Sequence, residues 1–575
     1  QPLPPRWAFG NLMSRFGYTS EAQVKSVYEK MKSENIPVDA VIFDLFWFGD
    51  SIKGTLGNLE WVNKTKWPDP RRMIGEFRKE GVHTILVTEP FFVETSLQYR
   101  ASRPYLAVDS AGAPFYLTDF YFGKGGLIDI FRKDAQEWFW QFHRRQMQNG
   151  VEGWWGDLGE PEKHPAGMYH NLRDLGHRRL FAADEVHNLY GHTWTKMLYN
   201  RFAAEYPDKR LFSLNRSGFA GSQRYGIIPW TGDVSRSWSG LRAQLPVLLG
   251  MTMSGIPYVH SDAGGFAGGE GDGELYVRWL QFAAFTPVFR PHGTALYEVE
   301  PAAASFPSEP ALMEEPWRSH ARQAVQLRYL FLPYNYSLAY QQTSNGTPLM
   351  APLYYYYFND TAAMQVQDQY MWGRDMMVAP ILDKGATERK VYLPAGRWLN
   401  IFSSTIHQGG QWITVPAQLT HIPVFAREGS FVPTVSRIRN ISEYTSNGQF
   451  LLSYFPSRSR TTFTWFEDDG VSRKSLPSKN YTLIRCTGQD MGNRIVTEIR
   501  PDNQKFVPVS LVVSILIQKK PASVMLNGRR IPVYTSTAEI PSGTRDFAHW
   551  MPQLSSVQVH ADMVKNKILQ IQVIK

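Results

Sequence analysis

The sequence predicts an α/β protein: a (β/α)8 (TIM) barrel over residues 1–343, followed by two β-sandwich domains over 344–435 and 436–575. Two observations lead to this fold class. Short apolar runs alternate with helix-like stretches from Arg6 to about Tyr340, and about eight such repeats indicate a parallel barrel. The pattern then changes to short alternating strands separated by Gly and Pro, which is typical of β-sandwiches.

The predicted elements follow one another in a regular order. Each predicted barrel strand is a short run dominated by apolar residues, and each predicted helix is a longer amphipathic stretch. The predicted barrel strands are 40–43, 84–87, 151–155, 210–214, 227–230, 257–260 and 287–290. The predicted helices are 20–34, 70–80, 134–149, 182–206, 241–251 and 319–339, and the clearest later strands are 390–394, 411–415, 511–517 and 567–574.

Length and composition agree with a folded protein of several domains. The chain has 575 residues, which at roughly 150 residues per domain predicts about three or four domains. Apolar residues make up 43% and charged residues 20%, which excludes a mainly disordered chain. Aromatic residues are frequent at 14%, and this suits both sugar recognition and large cores.

Charge and cysteine content exclude several classes of partner and site. The net charge is +9, but the chain has no run of five Lys or Arg and no zinc-finger spacing, so no nucleic-acid partner is expected. The single cysteine, Cys486, excludes an internal disulfide framework and a multi-cysteine metal site. No run of 18 apolar residues occurs, so no membrane insertion is expected.

Polar residues stand at the ends of nearly all the predicted barrel strands. In a parallel barrel the chemistry takes place at this end of the strands. A single carboxylate there is usually a helix cap or a surface group, but a set of acids with an Arg and a His needs a function, because unpaired charge is costly to desolvate. The residues after the second to the eighth strand are Asp44, Glu89, Asp157, Arg216, Asp233, Asp262 and His292.

Two of these carboxylates have tryptophan neighbours. Trp154 and Trp155 precede Asp157, and Trp230 precedes Asp233. A pair of carboxylates beside aromatic rings is the usual equipment for cleaving glycosides, because one attacks the anomeric carbon and the other protonates the departing oxygen. We expect the two side chains to face each other across one pocket.

The motifs in order along the chain resemble those of glycoside hydrolase family 31, the retaining exo-α-glycosidases and α-transglucosylases. The resemblance covers the whole predicted barrel and extends into the C-terminal domains. The matching segments are 6–10, 15–18, 44–47, 155–160, 216–224, 230–233, 260–266, 289–292, 372–375, 394–398 and 466–470.

The resemblance implies a role for each matching residue. Asp157 is implied as the nucleophile and Asp233 as the general acid/base, with Arg216 keeping Asp157 ionised while Asp233 is protonated. Glu160 is expected to hydrogen-bond its neighbours rather than to act directly, and Glu89 is left without a role. The implied substrate-binding residues are Asp44, Arg216 and His292, which hold hydroxyls, with Trp155, Trp230, Phe266, Asp262, Phe46 and Leu45.

Within the family, several segments are most similar to the bacterial oligosaccharide 4-α-glucosyltransferases, among them 44–49, 57–61, 156–162, 233–238 and 306–310. The implied reaction moves a non-reducing-end glucosyl unit from an α-1,4-linked oligosaccharide to a sugar acceptor or water. Phe46 stands where many family α-glucosidases carry a second Asp. An aromatic residue there also resembles the α-xylosidases, and α-galactosidases occur in the family, so the sugar is left open.

A non-enzymatic alternative is a carbohydrate-binding protein that has kept the barrel and lost turnover. It requires replacement of the nucleophile or the acid/base, and neither Asp157 nor Asp233 is replaced. The implied mechanism needs neither a metal nor an organic cofactor. The histidines of segment 164–192 lack an H-E-x-x-H arrangement, and loop histidines around a sugar site are the simpler interpretation.

Two further expectations concern the context of the chain. Family members usually carry an N-terminal β-sandwich, whereas the barrel pattern here begins within the first ten residues, so either the chain is a fragment or it lacks that domain. Gln1 to Pro5 show no charged and then apolar leader, although a leader could already have been removed. A periplasmic or secreted bacterial location is favoured over a cytoplasmic one.

Overall fold

The computed structural model of the protein describes residues 1–269, 271–303, 305–436, 438–563 and 567–575. These residues form two compact units. Unit 1 comprises Gln1–Ala283 and Val288–Arg322, and unit 2 comprises Ala284–Pro287 and Gln323–Lys575. Within the described ranges, no helix is both long and apolar enough to cross a membrane.

Unit 1 is built round a parallel six-stranded sheet in the order β1-β2-β3-β6-β9-β10. Its strands are almost entirely buried, as expected where both faces of a parallel sheet are covered. Two small antiparallel pairs, β4 with β5 and β7 with β8, lie outside it. The strands are β1 Leu12–Arg15, β2 Ala40–Phe43, β3 His83–Thr88, β4 Phe91–Val93, β5 Gly125–Leu127, β6 Gly153–Gly156, β7 Tyr169–Asn171, β8 Leu180–Ala182, β9 Phe212–Asn215 and β10 Ile227–Ile228.

Single parallel bridges continue the pairing beyond both edges of this sheet. Trp230 pairs with His260, and Ala263 pairs with Pro291. Phe289 in turn pairs with Asn11, next to β1, and its carbonyl accepts a hydrogen bond from the Leu12 amide at 3.1 Å. Parallel pairing therefore runs from the β10 side through residues 260–263 and 289–291 to β1.

Helices follow most of the strands, and their amphipathic sequences explain their placement. In the first helix Val24, Val27, Tyr28 and Met31 recur at helical spacing and are buried, and the Ser20 side chain caps its start. The helices are α1 Glu21–Ser33, α2 Pro70–Lys79, α3 Tyr99–Ser102, α4 Lys133–Asn149, α5 Ala183–Glu205, α6 Trp238–Met253, α7 Gly273–Ala283, α8 Trp317–Leu330 and α9 Leu332–Asn345.

The element pattern read from the sequence differs from the structure at several places. The predicted strands 257–260 and 287–290 are present only as single bridges at His260 and Phe289. The single helix predicted over 319–339 is divided into α8 and α9, because Pro333 has no amide hydrogen to continue the hydrogen-bond ladder of α8. The strand β1 was missed, since Ser14 and Arg15 break its apolar pattern. The helix α7 was also missed, and it is buried on all sides.

Unit 2 is rich in β-strands and contains two pairs of sheets. The first pair consists of a six-stranded sheet in the order β11-β12-β13-β18-β15-β16 and the two-stranded sheet β14-β17. The second pair consists of two six-stranded sheets in the orders β19-β20-β24-β29-β28-β27 and β21-β22-β23-β30-β25-β26. The strands of the first pair are β11 Met350–Pro352, β12 Tyr370–Trp372, β13 Met376–Val378, β14 Glu388–Leu393, β15 Arg397–Asn400, β16 Ile406–Gln408, β17 Gln411–Pro416 and β18 Val424–Arg427. Those of the second pair are β19 Phe431–Ser436, β20 Gln449–Tyr454, β21 Thr461–Glu467, β22 Thr482–Asp490, β23 Arg494–Pro501, β24 Ser510–Leu516, β25 Ser523–Leu526, β26 Arg529–Ile531, β27 Val533–Tyr534, β28 Phe547–Met551, β29 Ser556–Asp562 and β30 Leu569–Ile574.

The first pair of sheets in unit 2 encloses a core of its own. Met371 and Met377 from the larger sheet pack with Leu393 and Val415 of β14 and β17 and with Phe425. A short helix, α10 Thr361–Gln365, contributes to the same core and begins at the capping carboxylate of Asp360. In the second pair of sheets, buried residues alternate with partly exposed ones along much of β22 and β24, as expected where only one face of a sheet is covered.

Candidate active site

The polar residues predicted at strand ends lie where the parallel strands of unit 1 end. Four of them follow a strand directly: Asp44 after β2, Glu89 after β3, Asp157 after β6 and Arg216 after β9. Since β6, β9 and β10 are consecutive in the sheet, Arg216 lies on the strand between those that lead to Asp157 and Asp233. The remaining residues, Asp233, Asp262 and His292, follow or lie within the bridged segments that continue the sheet.

Arg216 is the cation of a cluster of acids. Its Nε donates to Glu160 Oε1 at 2.8 Å, and its Nη2 donates to Glu160 Oε2 at 3.0 Å and to Glu162 Oε2 at 2.5 Å. The same Nε lies 3.5 Å from Asp157 Oδ1. Glu160 therefore orients Arg216 through a bidentate contact, while Arg216 presents its positive charge to Asp157.

Asp157 is a partly buried carboxylate with unusual electrostatics. Burial raises the pKa of Asp157 to about 7, the positive charge of Arg216 acts in the opposite direction, and the negative charge of Asp233 adds to the increase. Its backbone amide donates to the Thr88 carbonyl at 3.0 Å, which ties the start of the loop to the adjacent strand β3. Within the described residues, Asp157 Oδ1 has no hydrogen-bond donor.

Asp233 lines a cavity of about 600 Å³ together with Arg216, Glu160 and Trp230. A cavity of this size is suited to a small ligand. The Asp233 side chain is more exposed than that of Asp157. Desolvation by the surrounding protein still raises the pKa of Asp233, with Arg216 opposing the increase. Asp157 is not in the lining of this cavity, whereas Arg216 lines it and lies 3.5 Å from Asp157.

Asp44 and His292 form a second polar pair of the site. Asp44 accepts a hydrogen bond from the Leu45 amide at 2.7 Å, and its Oδ2 lies 3.8 Å from His292 Nε2. His292 Nδ1 is 2.7 Å from the Ser14 hydroxyl. Burial lowers the pKa of His292 well below its ordinary value, and burial together with the charge of Asp157 raises the pKa of Asp44.

Arg290 is the residue of the site that the sequence did not single out. Its Nη2 donates to Asp262 Oδ1, and its Nε donates to His260 Nε2 at 3.1 Å. The guanidinium carbon also lies 5.5 Å from the ring of Trp155 and 5.4 Å from the ring of Trp230, within cation–π range. The sequence motif 289–292 contains Arg290, but the family resemblance implies a role only for His292 of this motif.

The salt bridge of Arg290 with Asp262 is completely buried, since both side chains are 0% exposed. Burial raises the pKa of Asp262 to about 7 even though Arg290 acts against the increase. Arg290 therefore joins Asp262 to the Trp155 and Trp230 rings, whose centroids are 5.6 Å apart. Asp262 supports the base of the site instead of facing solvent.

Aromatic rings line the side of the site next to His292. Phe266 stacks on the His292 ring with centroids 5.4 Å apart, and Trp155 meets the same ring edge-on at 5.1 Å. Phe16 lies between Phe266 and Phe46, at 5.9 and 5.6 Å. The structure thus brings the predicted residues Trp155, Phe266 and Phe46 together. Phe46 and Leu45 are both buried in the turn after Asp44.

Glu89 is a buried acid that the sequence left without a role. It is 2% exposed, and its Oε2 has no hydrogen-bond partner among the described residues. Burial raises the pKa of Glu89 well above its ordinary value, and the charges of Asp157 and Asp44 act in the same direction. The pKa values of Asp157 and Asp233 are raised as well, because burial outweighs the effect of Arg216.

The described part of the chain contains no group of three or more His, Cys, Asp or Glu residues that could hold a metal ion. Three histidines of segment 164–192 are nonetheless linked, and two of them lie in regular elements, His170 in β7 and His187 in α5. His164 Nδ1 lies 3.1 Å from His187 Nδ1, and His164 Nε2 lies 2.7 Å from His170 Nε2. Because the two ring nitrogens of His164 face different partners, these three rings do not converge on one point.

Sequence comparison relates both units to known proteins. Residues 1–338 match the family described as glycosyl hydrolases family 31 TIM-barrel domain, and residues 346–432 match the glycosyl hydrolase family 31 C-terminal domain. Alpha-glucosidase 2 of Bacillus thermoamyloliquefaciens is 27% identical over 82% of this chain and 58% of its own length. An alpha-xylosidase of Saccharolobus solfataricus is 29% identical over 84% of this chain and 62% of its own length.

The chain thus spans about three-fifths of the length of these two curated relatives. Among solved structures, the family 31 dextranase of Flavobacterium johnsoniae complexed with glucose superposes with a TM-score of 0.90 at 27% identity, over all of this chain and 71% of the dextranase chain. The resemblance read from the motifs is confirmed. The chain belongs to glycosyl hydrolase family 31.

Proposed function

We propose that the protein is a retaining, exo-acting α-glycosidase that removes a non-reducing-end glucosyl unit from α-1,4-linked oligosaccharides and transfers it to a sugar or to water. One observation carries the proposal. Arg216 follows the strand between those that lead to two carboxylates, Asp157 and Asp233, and the negative charge of Asp233 raises the pKa of Asp157. A pair of carboxylates in this position is what double displacement at an anomeric carbon requires.

The first step forms a covalent intermediate. The ionised carboxylate of Asp157 attacks C1 and forms an ester bond, while the bond from C1 to the glycosidic oxygen breaks. The protonated carboxyl of Asp233 gives its proton to that oxygen, which leaves as an alcohol. Burial raises the pKa of both carboxyls; Arg216 opposes this effect at Asp157 and so favours its ionised form, while the raised pKa of Asp233 favours its protonated form.

The second step reverses these roles. Asp233, now a carboxylate, takes a proton from the hydroxyl of an acceptor sugar or from water, and the resulting oxygen attacks C1. The ester bond to Asp157 breaks, and the carboxylate is restored. Two inversions at C1 retain the α configuration. Every proton and electron pair is supplied by the two carboxylates and the reactants, so the mechanism uses neither a metal nor an organic cofactor.

The remaining predicted residues are proposed to bind the sugar that is transferred. Asp44 and His292 would hold its hydroxyls, since both present polar atoms beside the buried aromatic wall. The aromatic rings would pack against the apolar faces of the sugar and exclude water. This set comprises Trp155, Trp230, Phe266, Phe46 and Leu45, with Asp262 and Arg290 as the support beneath.

The scaffold proposed for this site is a (β/α)8 barrel followed by two β-sandwiches. The single bridges at residues 230–260, 263–291 and 11–289 support closure of the parallel sheet by two further segments. The two pairs of sheets in unit 2 support one sandwich each. In such a barrel the ends of the strands form the active site, which agrees with the position of the acids.

An α-xylosidase is the second candidate function. Phe46 is 2% exposed and lies beside Gly17, where an added Cβ would approach Phe46 Cδ2 to 2.0 Å. This tight packing of an aromatic residue beside the pocket would suit a sugar without a hydroxymethyl group, and the alpha-xylosidase relative supports the same class. The glucose bound to the dextranase supports glucose instead.

The test of the proposed function compares Asp157→Ala and Asp233→Ala with an exposed control, Asp134→Ala. On maltotriose we expect Asp157→Ala to lose roughly 10⁴-fold or more in kcat. Asp233→Ala should lose roughly 10²–10⁴-fold on maltotriose but far less on an aryl α-glucoside with a good leaving group, which needs little protonation. Asp134→Ala should act like the parent protein.

Added azide distinguishes the two carboxylates. With Asp157→Ala, azide should replace the nucleophile and give the β-glucosyl azide. With Asp233→Ala, azide should attack the covalent intermediate and give the α-glucosyl azide, because its attack needs no general base. The parent protein should release the α anomer first in an NMR time course. Release of the β anomer first, or parent activity in Asp157→Ala, would refute the mechanism.

A further inference from the structure

A chain of three histidines connects a buried carboxylate to the cavity of the site. His187, on α5, lines the cavity that also contains Asp233. Its Nδ1 lies 3.1 Å from His164 Nδ1, and His164 Nε2 lies 2.7 Å from His170 Nε2. His170 Nδ1 in turn lies 3.0 Å from Asp129 Oδ1. We name these four residues the histidine relay.

Asp129 anchors the far end of the relay. It is 1% exposed, its second oxygen accepts a hydrogen bond from the Asn171 amide at 2.8 Å, and His170 is completely buried beside it. An imidazole is a stronger base than a carboxylate, so the proton between Asp129 and His170 belongs to His170 Nδ1. Asp129 therefore accepts, and the direction of the first hydrogen bond is settled.

The other two hydrogen bonds follow from this one. A neutral imidazole has one N–H and one bare nitrogen. In the arrangement that we infer, His170 carries one proton, on Nδ1, and accepts at Nε2, so His164 donates from Nε2 and accepts at Nδ1. His187 then donates from Nδ1. Burial lowers the pKa of His164 to about 3, and its two histidine neighbours act in the same direction, which keeps the central ring neutral.

In this arrangement three rings supply three protons for three hydrogen bonds, all directed towards Asp129. The arrangement leaves His187 Nε2 with a lone pair and no proton. Among the described residues no hydrogen bond reaches this nitrogen, and the side chain is only half-buried. Asp129 therefore determines, through His170 and His164, that His187 Nε2 in the cavity accepts a hydrogen bond.

The position of His187 indicates which part of the substrate it meets. In the proposed function, on which this inference rests, Asp233 protonates the departing oxygen and later deprotonates the incoming hydroxyl. The cavity around Asp233 is thus the space for the departing sugar and the acceptor sugar. We propose that His187 is a positioning residue that accepts a hydrogen bond from a hydroxyl of that sugar, and that the relay holds its ring in the accepting tautomer.

The first test separates binding of the departing sugar from the chemistry at C1. For His187→Ala we expect kcat/KM on maltotriose to fall about 5–15-fold, the typical effect of one lost hydrogen bond. On a phenyl α-glucoside, whose leaving group has no hydroxyl to donate, kcat/KM should change less than about twofold. His187→Gln keeps an accepting oxygen and should recover part of the loss. His177→Ala, which removes an exposed histidine of the same loop, is the matched control.

The second test concerns the tautomer and begins with the parent protein. Nitrogen-15 NMR of histidine-labelled parent protein should show His187 protonated at Nδ1 and bare at Nε2, with the signal assigned from the spectrum of His187→Gln. Asp129→Asn removes the anchoring carboxylate, so its His187 signal should shift towards a mixture of tautomers. The same variant should show a smaller loss on maltotriose than His187→Ala.

The outcomes distinguish this inference from the proposed function. If His187→Ala forms the glucosyl-enzyme and cleaves maltotriose like the parent protein, the role of His187 is wrong and the roles of Asp157 and Asp233 are unaffected. A parent spectrum with His187 protonated at Nε2 also overturns the inference. Full activity of Asp157→Ala instead overturns the proposed function itself.

Discussion

The charge balance around Arg216 decides how the two proposed catalytic acids behave. Its guanidinium is held by Glu160 and Glu162, so the charge cannot move away from Asp157, which lies 3.5 Å from Nε. Burial nevertheless raises the pKa of Asp157 to about 7. An acid that must be ionised for attack is then sensitive to pH in the neutral range.

The prediction at this scale concerns Arg216→Gln. Removal of the positive charge raises the pKa of Asp157, so the ionised form is lost at a higher pH as the solution is acidified. The acid limb of kcat/KM for an aryl α-glucoside should move upwards by roughly one pH unit. The measurement is a pH–rate profile of both proteins.

The control for Arg216→Gln is Arg72→Gln, an exposed arginine that pairs with Glu21 and Glu76 on the surface. Its profile should match that of the parent protein. If Arg216→Gln lowers the rate by the same factor at every pH, Arg216 does not influence the ionisation of the nucleophile, and its contribution is to geometry alone.

The sequence predicts single site residues only where a polar side chain directly follows an apolar strand. Asp44, Asp157 and Arg216 follow predicted strands, so their polar character after an apolar run is visible in one dimension. Arg290 was not predicted, because its partners Asp262 and the two tryptophans come from other strands. Its position two residues before His292, within the motif 289–292, was the signal that could have identified it.

At the scale of helices, strands and loops, one arginine holds the loop that contains Asp233. Arg236 Nη2 donates to the Phe266 carbonyl at 2.8 Å and to the Thr294 carbonyl at 2.6 Å, and its Nε donates to the Gly265 carbonyl at 3.2 Å. The segment between Trp230 and α6 is therefore attached to the two loops that follow the bridged segments. A Cβ at Gly265 would lie 2.6 Å from Arg236 Cα, so the close approach requires glycine.

The prediction for this element is that Arg236→Lys lowers activity through Asp233. An ammonium lacks the planar fork that reaches several carbonyls, and each buried carbonyl left without a donor costs about 1–3 kcal/mol. We expect kcat/KM on maltotriose to fall roughly tenfold, with a smaller loss on aryl α-glucosides with good leaving groups. Steady-state kinetics on both substrates measure the difference.

Arg72→Lys is the matched substitution for this prediction, because surface ion pairs contribute about 0–1 kcal/mol and its activity should not change. Equal losses of Arg236→Lys on the two substrates would contradict a role through the acid/base, and would indicate a general disturbance of the loop. The unfolding temperature of Arg236→Lys should fall by a few degrees in either case, since the arginine is buried.

The order of the elements was predictable, while some boundaries depend on three-dimensional packing. The helices α1, α2, α4 and α5 lie close to the predicted ranges, since their apolar residues repeat with helical spacing. The helix α7 was not predicted, and its residues from Leu275 to Ala283 are all buried, including the polar side chains of Arg278 and Gln281.

At the scale of the whole molecule, similarity along the chain defines the family but not the sugar. The alpha-glucosidase relative and the alpha-xylosidase relative are 27% and 29% identical and cover similar shares of this chain. Overall similarity therefore does not distinguish the two activities. Phe46 and the polar pair Asp44 and His292 are the residues that we expect to select the substrate.

The corresponding prediction is a preference for glucose among aryl α-glycosides. An α-xyloside lacks the hydroxymethyl group, whose lost contacts are worth about 1–3 kcal/mol, so its kcat/KM should be roughly 10- to 200-fold lower than that of the α-glucoside. An α-galactoside inverts one hydroxyl and should be poorer still, because a buried polar partner is left unpaired. Parallel kinetic assays of the three substrates test this order.

A xyloside that exceeds the glucoside in kcat/KM would reverse the assignment in favour of the second candidate function. Phe46→Asp is the informative variant in that case, since it restores the residue type that is common in family α-glucosidases. Product analysis of maltotriose by chromatography would then show how much glucose is transferred to sugar and how much to water.

By itself, the sequence determined the alternation of strands and helices, the family, and which acids stand at the strand ends. Hydrophobic period, motif order and residue type can all be read along the chain without knowledge of its fold. The tertiary structure decided which side chains meet: Arg216 beside Asp157, Arg290 beneath Trp155, and the histidine relay that reaches the cavity. These contacts join residues that are far apart in the chain, and their energies depend on burial and distance. Both quantities exist only once the chain has folded.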